Sequence, residues 1–195
     1  MNRCLIAATH NQDKLGELIR ILGPQGIEVI SVSDPSLLAN VVEDGETFSQ
    51  NALIKARAIF SITGEATLAD DSGLVIDALD GRPGVYSARY LGEETPYDVK
   101  IQGILEELSG VPDVRRTARF VSAVALITKN GEHIFEGVCE GMIGHAPSGN
   151  NGFGYDPVFY VGEKSFAMRS DAEKDAISHR AKALRALAGA IPRLL

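Results

Sequence analysis

Two long strand-like runs, residues 119–128 and 132–143, are separated only by Lys129-Asn130-Gly131. Asn-Gly between two such runs is a strong hairpin signal, because both residues tolerate the positive φ that a tight turn demands. A hairpin makes an all-parallel sheet untenable. The opening of the chain argues equally against an all-β fold. Residues 3–9 read as a buried strand and 11–22 as a helix, with Leu15, Leu18, Ile19 and Leu22 at helical spacing, and 28–33 as a second strand. An α/β fold with a mixed central sheet flanked by helices satisfies both constraints.

The remaining punctuation fills in this frame. Gly23-Pro24 is expected to stop the first helix, and residues 34–46 read as a polar, acidic loop. Thr47-Phe48-Ser49-Gln50 has the form of a capping box, opening a helix that runs to about Ser61. A short strand at 67–69 is expected to empty into Asp70-Asp71-Ser72-Gly73, with another strand-like run at 74–76. Thr95-Pro96 reads as an N-cap followed by proline at the first helical position, with the helix reaching Leu108. Residues 147–157 form a Gly/Asn-rich loop, and Ser170-Asp171-Ala172-Glu173 is a second capping box ahead of a last helix bearing Leu184, Leu187, Ala188 and Ile191.

Length and composition narrow the function classes. The 195 residues suit one domain, or two small lobes sharing a core, and the 45% apolar content is enough to build it. Nineteen basic against 26 acidic residues leave a net charge of −7, a poor basis for general nucleic-acid binding. No apolar run approaches the ~20 residues that span a bilayer, and the start of the chain lacks signal-peptide architecture. Cys4 and Cys139 have no metal-type spacing and read as buried reduced thiols of a cytoplasmic protein.

Five segments carry possible chemistry. Thr9-His10-Asn11-Gln12-Asp13-Lys14 lies where a strand gives way to a helix N-terminus, a setting that favours an anion, although a plain capped helix accounts for it too. Asp70 and Asp71 are adjacent, so on a strand their carboxylates point to opposite faces and serve different purposes; an Asp-rich turn is the other reading. Glu43-Asp44-Gly45-Glu46 could bring a second carboxylate to Asp71 and so complete a Mg²⁺ site with phosphate oxygens and water. In the stretch from Gly149 to Pro157, glycines flank Phe153, Tyr155 and Asp156, offering an aromatic shelf beside a hydrogen-bond acceptor. Finally, Ser178-His179-Arg180 with Lys174 gathers donors that would otherwise share one surface of an acidic protein. Together these suit a nucleoside triphosphate with Mg²⁺.

The same residues give the chain a resemblance to the inosine triphosphate pyrophosphatase family. It covers nearly the whole sequence in order, through Ala8-Thr9-His10-Asn11-Gln12-Asp13-Lys14, Thr47-Phe48-Ser49-Gln50-Asn51-Ala52 with Lys55-Ala56, and Ala69-Asp70-Asp71-Ser72-Gly73. It continues through Pro83-Gly84-Val85-Tyr86-Ser87-Ala88-Arg89, Gly152-Phe153-Gly154-Tyr155-Asp156-Pro157 and Ser178-His179-Arg180. The resemblance implies a single pyrophosphatase domain over 1–195 with two lobes and an active-site cleft between them, a homodimer, and Mg²⁺-dependent hydrolysis of ITP, dITP or XTP to the monophosphate and pyrophosphate. It implies Asp71 as general base and metal residue and Glu43 as its companion, with Glu46 the alternative. Thr9 to Lys14 match its triphosphate-binding segment, and Ser72, Phe153, Gly154, Tyr155, Asp156, Lys174, His179 and Arg180 its nucleotide-binding positions. His10 stands where the family often has Gly, and Gln50 where it usually has Glu. Maf-type nucleotide pyrophosphatases and a non-hydrolysing nucleotide sensor are the rival readings; the Gly-Phe-Gly-Tyr-Asp-Pro loop argues against the first and Asp71 with Lys14 against the second.

Overall fold

The computed structural model describes residues 3–32, 34, 36–39 and 41–195. Seven strands form one mixed sheet in the order β2-β1-β3-β4-β5-β6-β7. The strands are β1 (Arg3–Ala7), β2 (Ile27–Ser31), β3 (Thr67–Ile76), β4 (Thr117–Thr128), β5 (Gly131–Ile143), β6 (Phe159–Val161) and β7 (Lys164–Ser165). The helices are α1 (Gln12–Leu22), α2 (Ser36–Ala39), α3 (Phe48–Thr63), α4 (Tyr97–Glu107), α5 (Asp171–Ile177) and α6 (His179–Leu194). β1 runs parallel to both β2 and β3, whereas β5–β6 and β6–β7 are antiparallel, so the sheet is mixed as the hairpin required.

The chain divides into two units, residues 1–71, 122–137 and 179–195 in the first and 72–121 and 138–178 in the second. In the first, period-two alternation builds two cores on opposite faces of the sheet. Leu5, Leu68, Val124 and Leu126 face α1 and α6, where Leu18, Leu22, Leu184, Leu187 and Ile191 close over them. Their strand neighbours Ala69, Ala125 and Ile127 face α3, against Ala52, Ala56 and Ile59. The small residues on this second face let α3 lie close to the sheet.

The second unit is built around aromatic rings. Phe159 meets Phe120 and Phe166 edge-on at centroid distances of 4.7 and 4.9 Å, and Leu74, Ile101, Ile104 and Val158 fill the space around them.

Several boundaries depart from expectation for local reasons. Gly23-Pro24 stops α1 at Leu22 as expected, but the chain does not become extended there: proline fits a first-turn position, so Gly23–Gln25 follows as a 3-10 turn that ends at Gly26, whose φ is 72°. The strand expected at 28–33 ends at Ser31, with Ser33 outside the described residues, as are Met1 and Asn2. Part of the expected acidic loop is α2. Thr95 does not cap α4; its hydroxyl donates to the Leu91 carbonyl and Pro96 holds the cap position. The second capping box opens α5, not the last helix. Ser178 is extended, with φ −66° and ψ 155°, and breaks the chain between α5 and α6.

The largest correction concerns Asp70-Asp71-Ser72-Gly73. These residues are not a loop between two strands but the middle of the continuous ten-residue strand β3. Ladder bonding and burial on both faces override the turn preference of Asp and Gly.

Candidate active site

In the first unit, the segment after β1 is organised by its own side chains. Thr9 Oγ1 accepts from the Asn11 backbone N–H at 3.1 Å, and Asn11 Oδ1 caps α1 by accepting from Lys14 N–H at 2.9 Å. His10, Asn11, Gln12 and Asp13 are exposed around this helix start, while Lys14 turns inward, its Nζ 2.9 Å from Asp70 Oδ2.

Asp70 and Asp71 take opposite faces of β3, as alternation requires. Asp70 follows Leu68 toward α1 and α6. Its Oδ1 accepts from Ser122 Oγ, and its Oδ2 is shared by Lys14 and by Arg180 Nη2 at 3.1 Å. Arg180 in turn pairs with Glu17 on α1, and both Arg180 and Asp70 are about 99% buried. Burial alone would raise the Asp70 carboxyl, but Arg180 and Lys14 hold it well below the usual carboxylate range. Asp70 is therefore a fixed anion with its oxygens engaged.

Asp71 follows Ala69 toward α3, where it meets Lys55. Lys55 Nζ lies 2.6 Å from Glu43 Oε2 and 3.5 Å from Asp71 Oδ1. The other Asp71 oxygen, Oδ2, is buried and has no hydrogen-bond partner among the described residues. Burial pushes the Asp71 carboxyl above its ordinary value, against the pull of Lys55 and Lys14, and Glu43 adds to the rise. Burial would likewise depress the Lys55 ammonium, but Asp71 and Glu43 keep it raised.

Glu43 reaches this position because the loop bearing it is pinned to α3. Buried Asn51 accepts the Gly45 N–H through Oδ1 at 2.8 Å, and a Cβ on Gly45 would collide with that same oxygen at 2.6 Å. Gln50 Oε1 accepts from both Glu46 N and Thr47 N, completing the capping box. Gln50 thus has a structural task, and exposed Glu46 enters that cap through its backbone.

The second unit holds the aromatic loop. Asp156 is buried; its Oδ2 accepts from Phe153 N at 2.9 Å and Lys174 Nζ at 2.6 Å. Lys174 Nζ also sits 4.7 Å above the half-buried Phe153 ring. Gly152, at φ 73°, lets Asp156 close the turn, since a Cβ there would overlap Asp156 Oδ2. Tyr155 is buried, donating its hydroxyl to Ser87 O at 2.8 Å and packing edge-on to Tyr97. Ser72 is half-buried on β3. Lys174, His179 and Arg180 do not share an exposed surface: all three are buried, Lys174 against Asp156 and Arg180 against Glu17 and Asp70. Charges this far from water persist only when paired.

Residues 5–190 match the Ham1 family. The chain belongs to the Ham1 family. The dITP/XTP pyrophosphatase of Halalkalibacterium halodurans is 48% identical over 185 residues, covering 93% of this chain and 95% of its own. The solved Ham1 proteins of Coxiella burnetii and Staphylococcus aureus superpose with TM-scores of 0.85 at 39% and 35% identity, each covering 98% of this chain and 99% of its own. The family read from the sequence motifs and the mixed α/β fold both stand.

Within this Ham1 family member, the sequence motifs included Lys55 and Asn51 without assigning them a role, and marked neither Glu17 nor Ser122. Lys55 left a trace, as a lysine on a helix stripe otherwise made of Phe48, Ala52, Ala56 and Ile59. A cation on a buried stripe signals a buried anion opposite. Glu17 interrupts Leu15, Leu18 and Ile21 on the buried side of α1 in the same way. Ser122 carries no such signal, since a hydroxyl in a strand bonds to many partners.

Two carboxylates, not three, converge here, and among the described residues no group of three or more His, Cys, Asp and Glu is arranged to hold a metal. That suits Mg²⁺, which keeps several waters and takes one or two carboxylates plus phosphate oxygens. Asp71 Oδ2, buried and without a partner, is an oxygen such a cation would satisfy.

Proposed function

We propose that this chain hydrolyses deaminated purine nucleoside triphosphates, namely dITP, XTP and ITP, to the nucleoside monophosphate and pyrophosphate. The observation that carries the reading is Asp71: a buried carboxylate with one unpartnered oxygen, raised above the ordinary range, in the same unit as an inward-turned lysine at a helix N-terminus. The names of its dITP/XTP pyrophosphatase relatives supply the substrate class.

In this reading Thr9 to Lys14 receive the phosphates through backbone N–H groups at the start of α1 and the Lys14 ammonium. Asp71 and Glu43 would hold Mg²⁺, which when bound supplies Lewis-acid stabilisation of the phosphoryl charge. Asp71 accepts the proton of the water whose oxygen bonds to the α-phosphorus as the α–β bridging bond breaks, and pyrophosphate leaves. Lys14 offsets the charge on that leaving group.

For the base, Phe153 offers a stacking face, and Lys174 and Asp156 offer the donor and acceptor that hypoxanthine and xanthine need. Those bases present a 6-oxo acceptor and an N1–H donor, whereas adenine reverses both and would turn its amino group toward the Lys174 ammonium and its bare N1 toward the Asp156 carboxylate. Ser72, Gly154, Tyr155, His179 and Arg180 carry their assignments from the family resemblance. The reading includes a homodimer and a reducing, cytoplasmic setting, the latter supported by two free thiols, of which Cys139 is buried as expected and Cys4, against expectation, is exposed. It includes neither nucleic acid nor membrane as partner: the net charge is −7, and no helix among the described residues is long and apolar enough to cross a membrane.

The test is pyrophosphate release with Mg²⁺ from dITP, XTP, ITP, ATP and GTP side by side. Release from the deaminated purines at least ~100-fold above ATP is expected. Equal release from all five would remove the base-selection account, and release from none would remove the enzymatic one.

A further inference from the structure

We propose that Lys55 is a built-in counterion that excludes free divalent cation from Glu43 and Asp71, so that this site admits its metal only together with a triphosphate. The inference rests on the metal role given above to those two carboxylates and goes beyond it.

The ammonium of Lys55 is 2.6 Å from Glu43 Oε2 and 3.5 Å from Asp71 Oδ1, its side chain only 11% exposed. It occupies the electrostatic centre of the carboxylate pair. Its backbone is held by α3, whose Ala52, Ala56 and Ile59 are fully buried against the sheet, so moving the ammonium into water would give up both carboxylate contacts with no anion in return. The anions are fixed as well: Asp71 sits inside β3, and Glu43 is on the loop that Asn51 anchors.

A free divalent ion entering this pair meets a positive charge already in place and breaks the Lys55–Glu43 contact. In a poorly solvated site that repulsion is strong. A triphosphate changes the balance, because its oxygens give Lys55 a new anionic partner. Lys55 then leaves the carboxylates for phosphate, and the vacated position accepts the cation the triphosphate brings. The unpartnered Asp71 Oδ2 remains available throughout. Lys55 thereby couples metal entry to substrate entry.

The experiment is calorimetric titration of the full-length protein with MnCl₂ alone, at neutral to mildly alkaline pH, on wild type, Lys55→Met and Lys55→Arg, with near-UV circular dichroism to verify the fold. Wild type and Lys55→Arg are expected to bind Mn²⁺ weakly, and Lys55→Met about tenfold or more tightly. Addition of a non-hydrolysable α,β-imido triphosphate is expected to tighten Mn²⁺ binding in wild type and much less in Lys55→Met. Equal or weaker Mn²⁺ binding by folded Lys55→Met overturns the proposal, as does tight binding of Mn²⁺ alone by wild type. If Lys55→Met should unfold, Lys55→Gln supplies the same comparison. These readouts need no turnover, so they fail separately from the substrate reading: absence of pyrophosphate release with a normal Lys55→Met result would sink only the latter.

Discussion

Asp70 and Asp71 share a peptide bond, yet Asp70 is held by Ser122, Lys14 and Arg180, whereas Asp71 keeps one buried oxygen with no hydrogen-bond partner among the described residues. Alternation along β3 is the cause. One side chain enters the charged layer beneath α1 and α6, the other the layer beneath α3. A saturated carboxylate is an anchor; an unsaturated buried one is chemically available.

The two therefore respond differently to the same change. Asp71→Asn is expected to lower kcat by ~10³-fold while leaving the denaturant midpoint unchanged or higher, since it removes an undercompensated charge. Asp70→Asn removes the anion that Lys14 and Arg180 share, leaving Arg180 with Glu17, and is expected to cost about 3 kcal/mol in stability. Steady-state pyrophosphate release and urea unfolding on both variants check this; equal stability losses would sink the distinction.

Arg180 links Asp70 to Glu17 inside the first unit. Arg180→Met leaves two buried anions without their shared cation and is expected to cost ~3–5 kcal/mol. The double change with Glu17→Leu should be less harmful than the sum of the singles, because it removes charge and countercharge together. A double-mutant cycle by urea unfolding reads this, and simple additivity would contradict the pairing.

Phe153 is half-buried with Lys174 poised above its ring. If it carries the base, Phe153→Ala should raise KM for dITP about tenfold or more, in line with the ~1–3 kcal/mol of a base–aromatic stack, and change kcat little. A loss confined to kcat would argue that the ring only shapes the loop.

Asn51 holds the loop that bears Glu43. Asn51→Ala leaves the Gly45 N–H without its acceptor and is expected to cost ~1–3 kcal/mol. It should also raise the Mg²⁺ concentration needed for half-maximal activity. An unchanged Mg²⁺ requirement would separate Glu43 from the metal.

Glu173 gives a pH-dependent signature. Its carboxyl is lowered to about 2 by the Ser170 backbone N–H, with further help from Lys164 and the Ser170 hydroxyl. A depressed carboxyl stabilises the fold above its unfolded value near 4.5, and that contribution is lost as pH falls toward 2. The midpoint difference between wild type and Glu173→Gln should therefore be constant from pH 7 to about 5 and shrink below it. A difference independent of pH would assign the effect to capping geometry alone.

The sequence by itself determined β1, β2, β4, β5, the hairpin, both capping boxes and the segments that bear the candidate chemistry, but it marked β3 only as two pieces and left the short β6 and β7 unmarked. Those features are local: a hydrophobic period, an Asn-Gly turn or an Ser/Thr-x-x-Glu/Gln box acts over a few residues, so it is written where it operates. The opposition of Asp70 and Asp71 also followed from strand alternation once β geometry was assumed. Only the tertiary structure decided that Asp70-Asp71-Ser72-Gly73 is strand and not turn, because pairing with neighbours far away in sequence supplies the ladder that overrides Asp and Gly preferences. It alone decided which charges are spent on one another. Arg180 and Glu17 lie 163 residues apart, and Lys55 meets Glu43 and Asp71 only when α3 packs on the sheet. Coulomb pairing in a dry interior depends on ångström distances between remote segments, and no local pattern encodes those.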